Sequence, residues 1–467
     1  LGDTSPFDAE RSRLLGFLVI CLGLALVQGS FGLCTQDDAF ISFRYAQNLV
    51  EGHGLVYNVG ERVEGYTNFL WTLLFAPFIG MGFDPAPIST LLGMALSLGL
   101  LALTFEMGGR KLLAPLLVAT FTGLSLEAVQ GLETVFYAVL VTLALRGGRG
   151  WALFAALSAL TRPEGVAVFG LLWLFRRRWQ DVAVFAGVVG PHIAFRWFYY
   201  GDTVPNTFHA KVGGLAIGRG LAYVGGVATD ALPFSLGLVG ALVLWGVRER
   251  RPGQPGPLVL NAAALVLFMT AYVVAVGGDF KGTARFLIPI VPAAALLVQS
   301  IGGWRLHGVI GVAAVVFSVP GFLEMKHFAD RFAAELVVRR DIGVFLDETL
   351  QPDDVLAVHA AGVLPYYARR HTIDMWGLTD AHIARAPIDT MGEGTAGHER
   401  HDYPYVLSRQ PDYILPERDL FTPAPVTLPN PPEFPPAFAE LYAPVSAPLG
   451  EGYVNLWRLR PTASPAP

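Results

Sequence analysis

Hydrophobic residues run along this chain in long blocks rather than in alternating stripes. Up to about Phe322 the blocks are separated by short polar loops, and beyond it they give way to a mixed pattern. A membrane-crossing helix needs a stretch of about 20 apolar residues. The blocks predict about eleven spans, at residues 14–33, 86–107, 112–126, 134–145, 151–160, 165–175, 182–199, 232–247, 258–276, 287–301 and 309–322. The apolar stretch 68–82 is followed by Phe83-Asp84-Pro85 with no basic residue, and it fits a helix lying at the membrane interface. Between 151–160 and 165–175 lies Thr161-Arg162-Pro163-Glu164. Two short helices meeting at a polar cavity keep these charges out of lipid.

Orientation follows the basic residues of the short loops. Those at 11/13, 110/111, 146/149, 176–178, 248–251 and 305 all fall on one side of this arrangement, which is then the cytoplasmic side. The first apolar run is too long for a signal-peptide core and lacks a small-residue cleavage site, so it reads as an uncleaved span with a cytoplasmic N-terminus.

From Met325 onward strands and helices alternate. Strands are expected at 353–358, 371–375 and 413–415, helices at 361–368 and 404–408, a Pro-rich surface wrap at 415–438, and an edge strand at 453–459. The expected architecture is a polytopic α-helical membrane protein with a C-terminal periplasmic α/β domain. Its membrane domain is 1–323, with a first outer loop at 34–85, and its soluble domain is 324–467.

Composition agrees. Of 467 residues, 53% are hydrophobic and only 15% charged, against roughly 25% charged in a soluble domain. Net charge is −5, and no basic tract is long enough to track a nucleic-acid backbone. Cys21 and Cys34 flank one predicted helix and are separated by roughly 20 Å along it, far beyond the reach of about 7 Å for a disulfide.

The candidate chemistry begins in the first outer loop, where Asp37 and Asp38 stand side by side. Charge at a membrane edge is costly and usually functional. Paired carboxylates raise one another's pKa, which suits one of them to take a proton from an acceptor hydroxyl. The same acids also suit a helix N-cap, and Asp38 is a position where a divalent cation would sit. Glu64, at the far end of the loop, is a third catalytic candidate, or else a cap for the interfacial helix. Arg44, Tyr45, Tyr66 and Asn68 in this loop, with Asn206 and Asp279 in later outer loops, are candidate substrate contacts.

His209, Lys211 and Arg285 lie in outer loops that are otherwise poor in positive charge, and they suit a lipid-borne phosphate. Ordinary interfacial snorkelling is the competing explanation. Arg162 is a fourth phosphate candidate, although pairing with Glu164 explains it well; Glu133 is a similar case. In the soluble part, Asp374 and Trp376 suit a sugar-binding surface. His398, Glu399, His401 and Asp402 have metal-ligand spacing that a polar face explains better, and His359 and His371 read as structural.

The loop DDAFISFRYAQNLVEGHGLVYNVGERVEGYTN, with GLET, TRPEG, VPNTFHAK, VGGDFKGTARF and the IDMWGLTD…GHERHD…YVLSRQPDYIL tail, resembles the GT-C membrane glycosyltransferases. Within them it is similar to the mycobacterial-type terminal β-1,2-arabinofuranosyltransferases, over nearly the whole chain. The resemblance implies a GT-C fold, a polyprenyl-phosphate sugar donor and inversion at the anomeric carbon. It also implies Asp37 as base with Asp38 in the adjacent acidic position, and a periplasmic domain that helps hold a glycan acceptor. On that reading Lys211 and Arg285 stabilise the leaving phosphate. The sugar is arabinofuranose, with mannose or another pentose as the alternative. A lipid-linked saccharide transporter is the competing class, and the chain lacks the related halves common in transporters.

Overall fold

The computed structural model describes residues 6–211, 213–248, 256–388, 394, 395 and 397–461. Its first part is helical. Helices α1 (Pro6–Phe31), α2 (Asp37–Val50), α3 (Phe69–Gly80), α4 (Pro85–Met107), α5 (Leu113–Ala119) and α6 (Thr122–Glu127) come first. They are followed by α7 (Thr134–Arg146), α8 (Trp151–Thr161), α9 (Gly165–Arg176), α10 (Trp179–Tyr200) and α11 (Asn206–Lys211). Then come α12 (Ile217–Asp230), α13 (Leu232–Arg248), α14 (Pro257–Val276), α15 (Val291–Gln299) and α16 (Trp304–Thr349).

Five of these, α1, α4, α10, α14 and α16, are long and apolar enough to cross a membrane, and six do so if α12 and α13, bent by 107°, form one broken span. Each predicted apolar block is helical, and α3 occupies the stretch predicted to lie at the interface. Of the basic cluster at 248–251, residues 249–251 lie outside the described residues. The outward side chains of α1, among them Leu15, Leu18, Val19, Leu22 and Leu26, are exposed, as expected of a helix whose solvent is lipid.

Two departures from the predicted blocks place the functional site. The block 112–126 splits into α5 and α6, and just past the break Gly123 receives the loop after α14. A Cβ on Gly123 would stand 1.9 Å from the Thr283 carbonyl oxygen, so only glycine allows this approach. The other departure is α16, which passes residue 323 without a break and continues to Thr349. Its 46 residues rise about 69 Å, more than twice the roughly 30 Å of a hydrocarbon core. It therefore carries residues 331–339 well beyond the apolar zone.

The C-terminal part holds β1 (Val355–Val358), α17 (Val363–Ala368), β2 (His371–Asp374), α18 (Tyr403–Ser408), β3 (Tyr413–Ile414), β4 (Phe421–Thr422), β5 (Tyr442–Leu449) and β6 (Gly452–Leu459). The sheet order is β2-β1-β3-β6-β4, with β5 also paired to β6. The first three strands are parallel and the rest antiparallel. The closing strand is thus not an edge. It is covered by β5, which carries Pro444 and Pro448 and is confined by them to the outer position.

The two parts share hydrophobic cores. Ile41 and Tyr45 of α2 cluster with Tyr57, Tyr66, Ile342, Leu346, Val358 and Leu364, while Phe40 and Phe43 turn to Trp71, Phe75 and Val363. Helix α2 is therefore buried from two sides, because apolar residues at both i, i+3 and i, i+4 spacings leave it little polar surface. Arg44 ties this layer together. It is buried over the Tyr57 ring and donates to the carbonyls of Tyr57 (2.8 Å), Pro365 (2.9 Å) and Arg370 (2.7 Å). Asn58 exchanges two hydrogen bonds with the Thr372 backbone, at 2.9 and 3.0 Å.

Replacing Arg44 with Met removes charge-assisted hydrogen bonds to three buried carbonyls, each bond worth about 1.5–3 kcal/mol. The expected outcome is a destabilisation of about 3 kcal/mol or more and faster proteolysis of the C-terminal part in detergent. An unchanged melting temperature would refute the role of Arg44 as a tie.

Candidate active site

The first two residues of α2 are the two aspartates, and the fold separates their surroundings. Asp37 faces the C-terminal part. Its Oδ2 accepts from the Gly362 backbone N–H (2.9 Å), and its Oδ1 from the Val363 N–H (3.0 Å) and Arg339 Nη1 (3.1 Å). Asp38 faces the loop after α14, where Lys281 Nζ donates to its Oδ2 at 2.9 Å and to Gln36 Oε1 at 2.6 Å. Both carboxylates line a cavity of about 380 Å³. Lys281 and Arg339 also line it, and His359, Trp376, His398 and Glu417 of the C-terminal part form further wall.

The cavity is charged on one side and aromatic on the other. Burial alone would raise the Asp38 carboxyl, but Lys281, then Lys211 and Arg285, together hold it well below the usual carboxylate range. The expectation that adjacent acids raise one another is therefore not met at Asp38, because three cations surround it. Arg285 is itself paired with Asp279 at 2.6 Å and lies over the Phe286 ring. Lys211 ends α11 with its stem beside Gly397 and makes no ion pair among the described residues. On the aromatic side the Trp376 ring meets His398 edge-on at 4.4 Å and His359 at 5.4 Å. Burial lowers the His359 imidazole below its ordinary value, and its Nδ1 has no hydrogen-bond partner among the described residues.

The sequence candidates thus sort into groups. Asp37, Asp38 and Trp376 meet at the cavity, with Lys211 and Arg285 close enough to act on Asp38. The others are engaged elsewhere. Tyr45 bonds the Val63 carbonyl and the Gly65 N–H. Tyr66 meets the Tyr200 hydroxyl at 3.1 Å. Asn206 donates to the carbonyls of Gly377 and Leu378, and His209 pairs with Asp202 at 2.9 Å. Arg162 lies between Glu133 (2.9 Å) and Glu164 (3.1 Å), and Asn68 donates to Glu133. Arg44, described above, faces carbonyls rather than the cavity.

Glu64 is not among the cavity-lining residues. It is buried against Arg196 at 2.9 Å. Burial pushes its carboxyl up to about 7, with Arg196 opposing. A carboxyl raised above its ordinary 4.5 stabilises the fold at low pH, and that contribution is lost as pH rises through about 7. In detergent, the melting temperature of Glu64→Gln relative to the unmutated protein should climb between pH 5 and 8. Parallel curves would remove Glu64 as the titrating group.

Among the described residues no three His, Cys, Asp or Glu side chains converge as metal ligands. Glu399 pairs with Arg219, Asp402 caps α18 and bonds His382, and His401 stacks on Tyr403. Cys21 and Cys34 are both free. Lys281, absent from the sequence candidates, stands inside the GGDFKGTARF loop. No local pattern marks Arg339 or Gly362, which reach Asp37 from 302 and 325 residues away.

Among solved structures, the chain aligns with crystal structures of ArnT from Cupriavidus metallidurans. The undecaprenyl phosphate complex matches with a TM-score of 0.59 and 12% identity, covering 97% of this chain and 99% of that one. The apo form matches with a TM-score of 0.57, covering 96% and 98%. The fold is GT-C. Two curated relatives bear the name terminal β-(1→2)-arabinofuranosyltransferase. That of Corynebacterium glutamicum is 30% identical over 342 residues, covering 58% of this chain and 49% of its own length. That of Mycobacterium tuberculosis is 27% identical over 318 residues, covering 54% and 50%. The chain spans about half the length of these relatives. A family model described only as a domain of unknown function, DUF8728, matches residues 329–458. In this GT-C frame the aspartate pair opens the first loop helix, and the DUF8728 segment supplies both the tail of α16 and the aromatic wall.

Proposed function

We propose that the protein is an inverting glycosyltransferase that moves a sugar from a polyprenyl-phosphate donor to a glycan or glycoconjugate acceptor. The observation that carries this is the cavity itself, with a carboxylate pair and Lys281 on one side and an aromatic wall on the other. The acceptor hydroxyl gives its proton to Asp37 as its oxygen bonds to the anomeric carbon. The bond from that carbon to the phosphate oxygen breaks, and the polyprenyl phosphate leaves with the charge.

Lys281, Lys211 and Arg285 meet that charge. Asp38, neutralised by them, sits with the phosphate side rather than acting as the base. Trp376 offers an apolar face to the acceptor, and His359 a neutral ring. An apolar groove of about 600 Å³ between α12, α13, α14 and α15 reaches Leu287, two residues past Arg285, and suits the lipid chain.

The names of the curated relatives favour arabinofuranose as the sugar. Residues 324–467 act as a periplasmic domain on a bacterial plasma-membrane enzyme whose N-terminus is cytoplasmic. The test is transfer in proteoliposomes supplied with polyprenyl-phosphate arabinose or mannose and an oligosaccharide acceptor, read by mass spectrometry. A product one pentose heavier supports the reading. Movement of the lipid-linked sugar across the bilayer without transfer would replace it with a transporter.

A further inference from the structure

Three hydrogen bonds hold the Asp37 carboxylate, and all of them come from residues 339–363. Two come from consecutive backbone N–H groups, Gly362 and Val363, and one from Arg339 on the outer part of α16. The approach is too close for a side chain. A Cβ on Gly362 would lie 1.9 Å from the Asp37 main-chain oxygen and 2.6 Å from its Oδ2. The 361–365 segment is fastened from the first loop on both sides, by Tyr57 Oη to the Ala361 carbonyl at 2.7 Å and by Arg44 to the Pro365 carbonyl at 2.9 Å.

An ionised carboxylate offers about four acceptor positions, two on each oxygen. Arg339 and Val363 occupy both on Oδ1, and Gly362 occupies one on Oδ2. The one left is on Oδ2.

We propose that Arg339 and Gly362 are positioning residues, fixing the Asp37 carboxylate so that Oδ2 is the atom that takes the acceptor proton. The C-terminal part then completes the catalytic apparatus as well as holding a substrate. This rests on Asp37 being the base, as proposed above. The donor phosphate meets a different group of residues, so loss of positioning affects turnover and spares donor binding.

The test uses the full chain in proteoliposomes, with Arg339→Gln, Arg339→Lys and Gly362→Ala, each also in an Asp37→Asn background. Arg339→Gln and Gly362→Ala are expected to lower kcat by about 10- to 100-fold, the worth of one charge-assisted hydrogen bond. The donor KM should stay within about twofold of the unmutated value, and Arg339→Lys should recover part of the rate. In the Asp37→Asn background the same changes should cost nothing further, because they act through that carboxylate. A merely structural role would lower the rate additively in that background. Unchanged kcat in Arg339→Gln, or additive losses, would overturn the inference, and Arg339→Gln alone decides it if Gly362→Ala fails to fold. An unmutated protein that transfers no sugar would instead overturn the glycosyltransferase reading.

Discussion

Asp37→Asn is expected to lower kcat for sugar transfer by about 10²- to 10⁴-fold, the usual worth of a positioned general base. An amide is nearly the same size as the carboxylate but cannot take the acceptor proton. It also replaces one acceptor oxygen with an NH₂ group, which would then face the Gly362 N–H or the Arg339 guanidinium. The donor KM should move little, because the donor phosphate meets Lys281, Lys211 and Arg285. Measurement of kcat and donor KM in proteoliposomes separates these outcomes. Transfer at the unmutated rate would exclude Asp37 as base, and transfer restored in Asp37→Asn but abolished in Asp38→Asn would exchange the two roles.

Lys281→Met is expected to cost about 10²- to 10³-fold in kcat, the range found when one donor to a developing oxyanion is removed. Lys281 is buried, so its charge acts where water screens it least. Its ammonium already sits 2.9 Å from Asp38, and removing it leaves that carboxylate without its ion-pair partner. The donor KM should rise as well, because a phosphate carries its charge before transfer begins. Lys281→Arg should keep much of the donor binding, since both cations bind phosphate. Loss of stability with unchanged kinetics would make Lys281 a structural partner of Asp38 instead.

Much of the fold was legible along the chain. Each apolar block became helical, the block 112–126 as two short helices, because its residues have no aqueous alternative. The break at Thr161–Glu164 appeared where charge interrupted a span, and Arg162 does pair with Glu164 there. The functional set was legible only in part. Asp37, Asp38 and Trp376 meet at the cavity, yet Arg44, Tyr45, Tyr66, Asn68 and Asn206, which look much the same in sequence, are spent on tying their own segments to neighbouring ones. A polar residue beside a membrane has two ways to satisfy its hydrogen bonds, with substrate or with backbone, and residue type does not distinguish them.

The sequence by itself determined the apolar helices, the α/β region after them and the position of the acidic pair at the start of the segment that follows the first helix. Those follow from local quantities, the run length of apolar residues and the charge between them. Only the tertiary structure decided what each acid faces. Lys281 arrives at Asp38 because Gly123 lets the loop after α14 pack closely. Arg339 and Gly362 arrive at Asp37 because α16 outruns the bilayer and the C-terminal part shares its core with α2. Such contacts depend on packing between segments hundreds of residues apart, and no local pattern encodes them.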